Sequence, residues 1–116
     1  MGIASECYVL TKAFPRDEVY GMTAQIRRAG VSVAANIAEG HGLENTGSFV
    51  QFLRISQGSL KELETHLLLA EQVHITAPSS AEGILNRCES LGKMLRRLIR
   101  SLQDKAADAL KEGGKP

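Results

Sequence analysis

Three groups of polar side chains in this 116-residue chain stand at spacings that could support chemistry. Lys93, Arg96, Arg97 and Arg100 fall within an arc of about 100° on a helical wheel, opposite a row of leucines. Such a cluster can neutralise phosphates, each contact adding salt-dependent affinity. The competing reading is a solvated face, because Glu89 stands four before Lys93 and Asp104 four after Arg100, ordinary i,i+4 pairs. Arg27 and Arg28 add two cations upstream. The five aromatics (Tyr8, Phe14, Tyr20, Phe49, Phe52) offer no platform for stacking bases, which disfavours sequence-specific RNA reading.

The second group is a polar stripe, Gln25, Arg28, Ser32, Asn36 and Glu39, matched downstream by Ser59, Glu62 and His66. These are expected to meet in a partly buried hydrogen-bonded seam. Arg28 would pair there with Glu62 or Glu39, since buried charges survive only when paired. The role expected of this seam is to fix register or subunit geometry, with ligand binding or catalysis as the alternative.

Metal and acid–base chemistry form the third possibility. Di-iron bundles use two Glu-x-x-His motifs with further glutamates. This chain has one such motif, Glu71 to His74, and His41 sits between two glycines. No metal site, cofactor or catalytic residue is therefore expected. No P-loop or GxGxxG occurs, and no Ser or Cys has a base at a recognisable spacing. Cys7 and Cys88 lack metal-ligand spacing, and Cys88 reads as a small buried hydrophobe.

The elements that must carry these groups follow from period. A short first helix is expected over residues 4–13, ended by Phe14-Pro15. A second runs from Asp17-Glu18 to Glu39 with Gly40 beyond its end. Along it Met22, Ile26, Ala29, Val33 and Ile37 share one face. The third begins near Thr46 to Ser48 and carries Phe49, Leu53, Ser56, Leu60, Leu63, Leu67 and Ala70 in strict 4-3 alternation, the pattern of left-handed bundle packing. Ser79 and Glu82 fit a capping box opening the fourth, whose seam is Ile84, Cys88, Leu91, Leu95, Leu98 and Leu102. Short connections make these an all-α, antiparallel up-and-down four-helix bundle with a short first helix. Residues 1–112 form one domain and residues 113–116 a flexible tail.

Composition agrees. Hydrophobic residues make 43%, and Gly and Pro together only 14 of 116, so the chain is globular. A net charge of +1 disfavours a strongly cationic nucleic-acid binder. No apolar run is long enough to span a bilayer, and MGIASECYVL lacks a basic start and an apolar h-region, so the expected location is the cytoplasm. The second helix also carries Ala24, Val31, Ala34, Ala35 and Ala38 on its far side. A helix apolar nearly all round is buried nearly all round, so these five are expected to form an interface between subunits. Interior glycines Gly30, Gly58 and Gly92 each cost about 1 kcal/mol against Ala, and close packing is the expected compensation.

Two stretches carry a resemblance. Residues 14–40, with QIRRA and the ending NIAEG, and residues 52–70, with GSLKELET, resemble the small helical bacterial family named after open reading frames in intervening sequences of 23S rRNA genes. The likeness extends from about Cys7 to Leu102. It implies an antiparallel four-helix bundle assembled as a ring-shaped homopentamer. Relatives include the accessory protein of diversity-generating retroelements, which is basic, binds nucleic acid and contacts a reverse transcriptase. This chain departs from the family in having Ala34 where Pro is usual, Ser56 where Ala is usual, and a first helix about half the usual length, as a shortened start would give. The expected function is a non-enzymatic homo-oligomeric scaffold or adaptor, partnering itself and no membrane. The second reading is an accessory protein that binds RNA or DNA, or a protein partner, through basic surfaces of the ring.

Overall fold

The computed structural model describes residues 2–113. Its helices are α1 (Ile3–Thr11), α2 (Met22–His41), α3 (Thr46–Gln72) and α4 (Pro78–Gly113), with no strand among the described residues. Each helix packs on its sequence neighbour, and α1 closes back on α4. The fold is therefore all-α, a four-helix bundle with a short first helix. Of the expected tail, Gly113 belongs to α4, and residues 114–116 lie outside the described residues.

The α3 stripe is buried where its 4-3 alternation places it: Leu53, Ser56, Leu60, Leu63, Leu67 and Ala70. Ile26, Ala29 and Val33 of α2 face them, while Met22 and Ile37 are half-buried at the ends of that row. Cys7, Cys88, Ala81, Ile84, Leu95 and Ile99 close the core from α1 and α4.

Several helix ends differ from expectation, each for a local reason. Asp17 and Glu18 do not open α2. They belong to a single 3-10 turn, Arg16–Glu18, after Pro15, and Gly21 (φ −102°, ψ −111°) breaks the path before Met22. Gly40 lies inside α2, which runs on to His41 and is capped by Gly42. Its missing side chain serves packing, because a Cβ there would meet Phe49 Cδ1 and Phe52 Cβ at 2.9 Å. Asn45, not residues 46–48, caps α3, its Oδ1 accepting from the Ser48 N–H at 2.9 Å.

At the other end of α3, His74 takes a left-handed conformation with φ 62°. The Ile75 N–H then donates to the Ala70 carbonyl at 2.9 Å and the His74 N–H to the Glu71 carbonyl at 3.0 Å. This is a Schellman end on a residue that is not glycine. The helix thus stops at Gln72, well before Pro78. That proline occupies the first position of α4, where its missing N–H costs nothing. The helix therefore opens one residue before Ser79, and the Ser79–Glu82 capping box does not form among the described hydrogen bonds.

Along α4 the seam drifts. Ile84, Cys88, Gly92, Leu95 and Ile99 are buried, Leu91 and Leu102 half-buried, and Leu98 is 38% exposed. Spacings of 4, 4, 3 and 4 follow the natural period of a straight helix and not a strict heptad. Ile99 replaces Leu98 for that reason.

Candidate functional site

Apart from the α2–α3 polar seam and the α3–α4 groove, the candidate residues sit on outer faces of the bundle, and α1 decides which of them stay open. Gly30 lets α1 approach α2, since a Cβ there would come within 3.0 Å of Cys7 Sγ. Arg27 binds the two together: its Nε donates to Thr11 Oγ1 at 2.8 Å and its guanidinium lies 4.5 Å from the centre of the Tyr8 ring. Thr11 Oγ1 donates onward to the Cys7 carbonyl at 2.7 Å. Arg27 is therefore a half-buried structural cation, not part of an open basic surface. On its far edge α1 is held to α4 by Arg87 Nε and Glu6 Oε1, 2.9 Å apart. Neither contact is legible from periodicity, because each joins elements whose relative rotation the spacing leaves free.

Beyond the reach of α1, the second face of α2 is uncovered. Ala34, Ala35 and Ala38 are exposed, Val31 is 45% exposed and Ala24 half-buried. Tyr8, Val19, Ala24 and Val31 line one shallow hollow with Arg28 at its edge. Tyr20 stands beside Val19, 94% exposed.

The polar stripe divides. Ser32 and Ser59 hydroxyls meet across α2 and α3 at 2.7 Å, and Asn36 Nδ2 donates to the Ser32 carbonyl at 2.8 Å and to its hydroxyl at 3.1 Å. One turn away the buried Ser56 hydroxyl donates to the Val33 carbonyl at 2.8 Å. The remaining members stay outside this network. Arg28 is exposed and donates only to Gln25 Oε1, at 3.0 Å on its own helix. It pairs with neither Glu62 nor Glu39, and no other acid engages it among the described residues. Glu39 is exposed, and Glu62 reaches only His66, at 3.4 Å. An ion pair between α2 and α3 would be desolvated at a cost of several kcal/mol per ion. Two small hydroxyls satisfy each other at close helix separation, and the long Arg28 side chain reaches water instead.

On α4, Lys93 pairs with Glu89 at 3.5 Å, but Arg100 and Asp104 do not pair. Arg96, Arg97 and Arg100 are exposed without an ion pair among the described residues. Arg96 belongs also to a cavity of about 560 Å³ between α3 and α4, lined besides by Arg54, Gln57, Gly58, Leu60 and Gly92. The acids at its other end, Glu64 and Glu89, stand opposite Lys61 at 3.8 Å and Lys93 at 3.5 Å. Arg54 was not singled out by spacing, although it lies one turn before Gly58 on the same face.

Both cysteines are free and fully buried. Burial raises the Cys7 thiol from an ordinary 9.0 to about 11, with Glu6 adding to it. Burial, then Glu64, Cys7 and Glu6, raise Cys88 to about 12. Among the described residues no cluster of three His, Cys, Asp or Glu could hold a metal ion, and no helix is long and apolar enough to cross a membrane. The single Glu-x-x-His sequence ends in the helix-terminating His74.

Comparison with known proteins bears on the fold and the family. A protein of unknown function from the S23 ribosomal protein family of Bacteroides thetaiotaomicron VPI-5482 has a similar structure, with a TM-score of 0.70 and 22% identity over 84% of this chain and 97% of that one. No curated protein matches. The model of the family described as 23S rRNA-intervening sequence protein matches residues 1–97. That match spans both motif-bearing helices and most of α4, and the chain belongs to this family.

Proposed function

We propose that this protein is a non-enzymatic cytoplasmic scaffold or adaptor that works as a homo-oligomer, a ring of five as the resemblance implies. The observation that carries this reading is the uncovered apolar face of α2, with Val31, Ala34, Ala35 and Ala38 continuous with Tyr8 and Val19. Small side chains there let a neighbouring backbone come close, and burying the face removes apolar surface from water at about 25 cal/mol per Å². Light scattering on the purified protein is expected to give a multiple of the 12.5 kDa chain mass. Val31→Glu would bury an unpaired charge at that contact. The variant should be monomeric with unchanged helical circular dichroism. A wild-type monomer, or a V31E variant of unaltered mass, overturns the reading.

The second reading, a nucleic-acid-binding accessory protein, draws on the unpaired arginines Arg97 and Arg100. Repeated around a ring, they would converge into a cationic surface that one chain's charge of +1 conceals. Binding to a structured RNA that weakens steeply with salt, and is lost in Arg97→Gln/Arg100→Gln, is its test.

A further inference from the structure

The interior glycines of this bundle fall into two kinds. Gly30 and Gly40 are demanded by contacts within the chain, where a Cβ would come within 3.0 Å of Cys7 and 2.9 Å of Phe49 and Phe52. Gly58, Gly83 and Gly92 are not. A Cβ on Gly58 or Gly83 would meet nothing within 4 Å, and one on Gly92 would make ordinary contacts at 3.5 Å with Leu60 Cδ2 and Arg96 Nη1. Each such glycine lowers helix stability against Ala, with no compensating contact in the fold. Gly58 and Gly92, though not Gly83, line the same cavity, the groove of about 560 Å³ between α3 and α4. That volume lies within the range of small-molecule sites.

The groove lining carries three cations, Arg54, Lys61 and Arg96, and two acids, Glu64 and Glu89. Arg54 from α3 and Arg96 from α4 reach it from its two walls, and neither has an acidic partner among the described residues. The Arg96 guanidinium is folded back over Gly92, placing its donors in the groove. The two acids of the lining each contact a lysine on their own helix, Glu64 with Lys61 at 3.8 Å and Glu89 with Lys93 at 3.5 Å. Two guanidinium groups without acidic partners suit a dianion better than a single carboxylate. A phosphate monoester carries a charge near −2 at neutral pH and accepts paired N–H donors from arginine. Leu60 and the bare glycine backbone supply an apolar floor beside it, and Gln57 an amide.

We propose that the α3–α4 groove binds a small phosphate monoester of mononucleotide size, its phosphate held between Arg54 and Arg96 and its organic body lying over Gly58 and Gly92. This site is separate from the α2 face invoked for assembly, so its failure and the failure of that reading are distinguishable.

The probe is AMP, titrated into the full-length protein while the amide resonances of Gly58 and Gly92 are followed by NMR at fixed ionic strength. Saturable shifts of both are expected with AMP and none with adenosine. Arg54→Gln and Arg96→Gln should each weaken binding about tenfold. Gly58→Leu, which fills open space without disturbing the core, should abolish it. Lys105→Gln, exposed on the same helix but outside the groove, should leave it unchanged. Absence of a saturable AMP response overturns the proposal, as does an equal response to adenosine. A K105Q variant weakened as much as R54Q also overturns it, by showing diffuse attraction to a cationic helix. If G58L fails to fold, the two arginine variants decide the matter.

Discussion

Gly40 and Gly58 both sit within helices, yet their substitution by alanine should have opposite signs. At Gly40 the new methyl would press on Phe49 and Phe52 at 2.9 Å, and overpacking of this kind costs about 1–3 kcal/mol. At Gly58 the methyl enters open space, and the gain in helix propensity is about 1 kcal/mol. Urea denaturation of G40A and G58A reads both values directly. The cysteines give a second prediction at this scale. With folded-state thiols at about 11 and 12 against 9.0 unfolded, their contribution to stability is fully present below pH 9. It is lost as pH rises from 9 through 11–12, because only the unfolded state ionises early. Correspondingly, iodoacetamide at pH 8 should label Cys7 and Cys88 at the rate at which the bundle opens, and labelling should accelerate sharply in urea.

Helix ends show what was legible in the sequence and what was not. The α3 stripe from Leu53 to Ala70 could be read position by position, because a strict 4-3 alternation admits one buried face. The order of four helices and the shortness of the first followed from Pro15 and the loop glycines. The end of α3 could not be read, since His74 adopts φ 62° in place of a glycine and propensity alone gives it no reason to do so. Leu98 and Ile99 exchanged places because adjacent apolar residues on a straight helix are separated only by the drift of the seam. Of the candidate site residues, those expected at a subunit interface on α2 are exposed or half-buried in the single chain, Arg27 is engaged by α1, and Arg28 by its own helix. Such partnerships depend on rotation between helices, which spacing does not encode. The Schellman end yields a prediction of its own. His74→Gly removes the left-handed strain of a side-chain-bearing residue, of the order of 1 kcal/mol. The variant should be stabilised by about that amount in thermal unfolding, whereas Asn45→Ala at the start of the same helix should lose about 1 kcal/mol.

The whole molecule is set by the inequality of its helices. At 36 residues α4 is four times the length of the nine-residue α1, about 54 Å at 1.5 Å per residue. From Gln103 to Lys111 only Ala106 is even half-buried, and Leu110 is 74% exposed. Ending the chain after Ala106 should therefore change the unfolding free energy by no more than about 0.5 kcal/mol, which a urea titration of the shortened protein measures. A larger loss would show that this segment packs against something beyond its own bundle. The long helix also makes the molecule 64 Å by 21 Å by 21 Å, a rod three times longer than wide. A rod tumbles end over end more slowly than it spins. A single chain would thus migrate through a sizing column as a heavier particle than its mass, and its rotational diffusion would be strongly anisotropic. Closing such rods side by side into an assembly would bring the overall shape nearer to a sphere, so that association changes how the particle turns as well as how much it weighs.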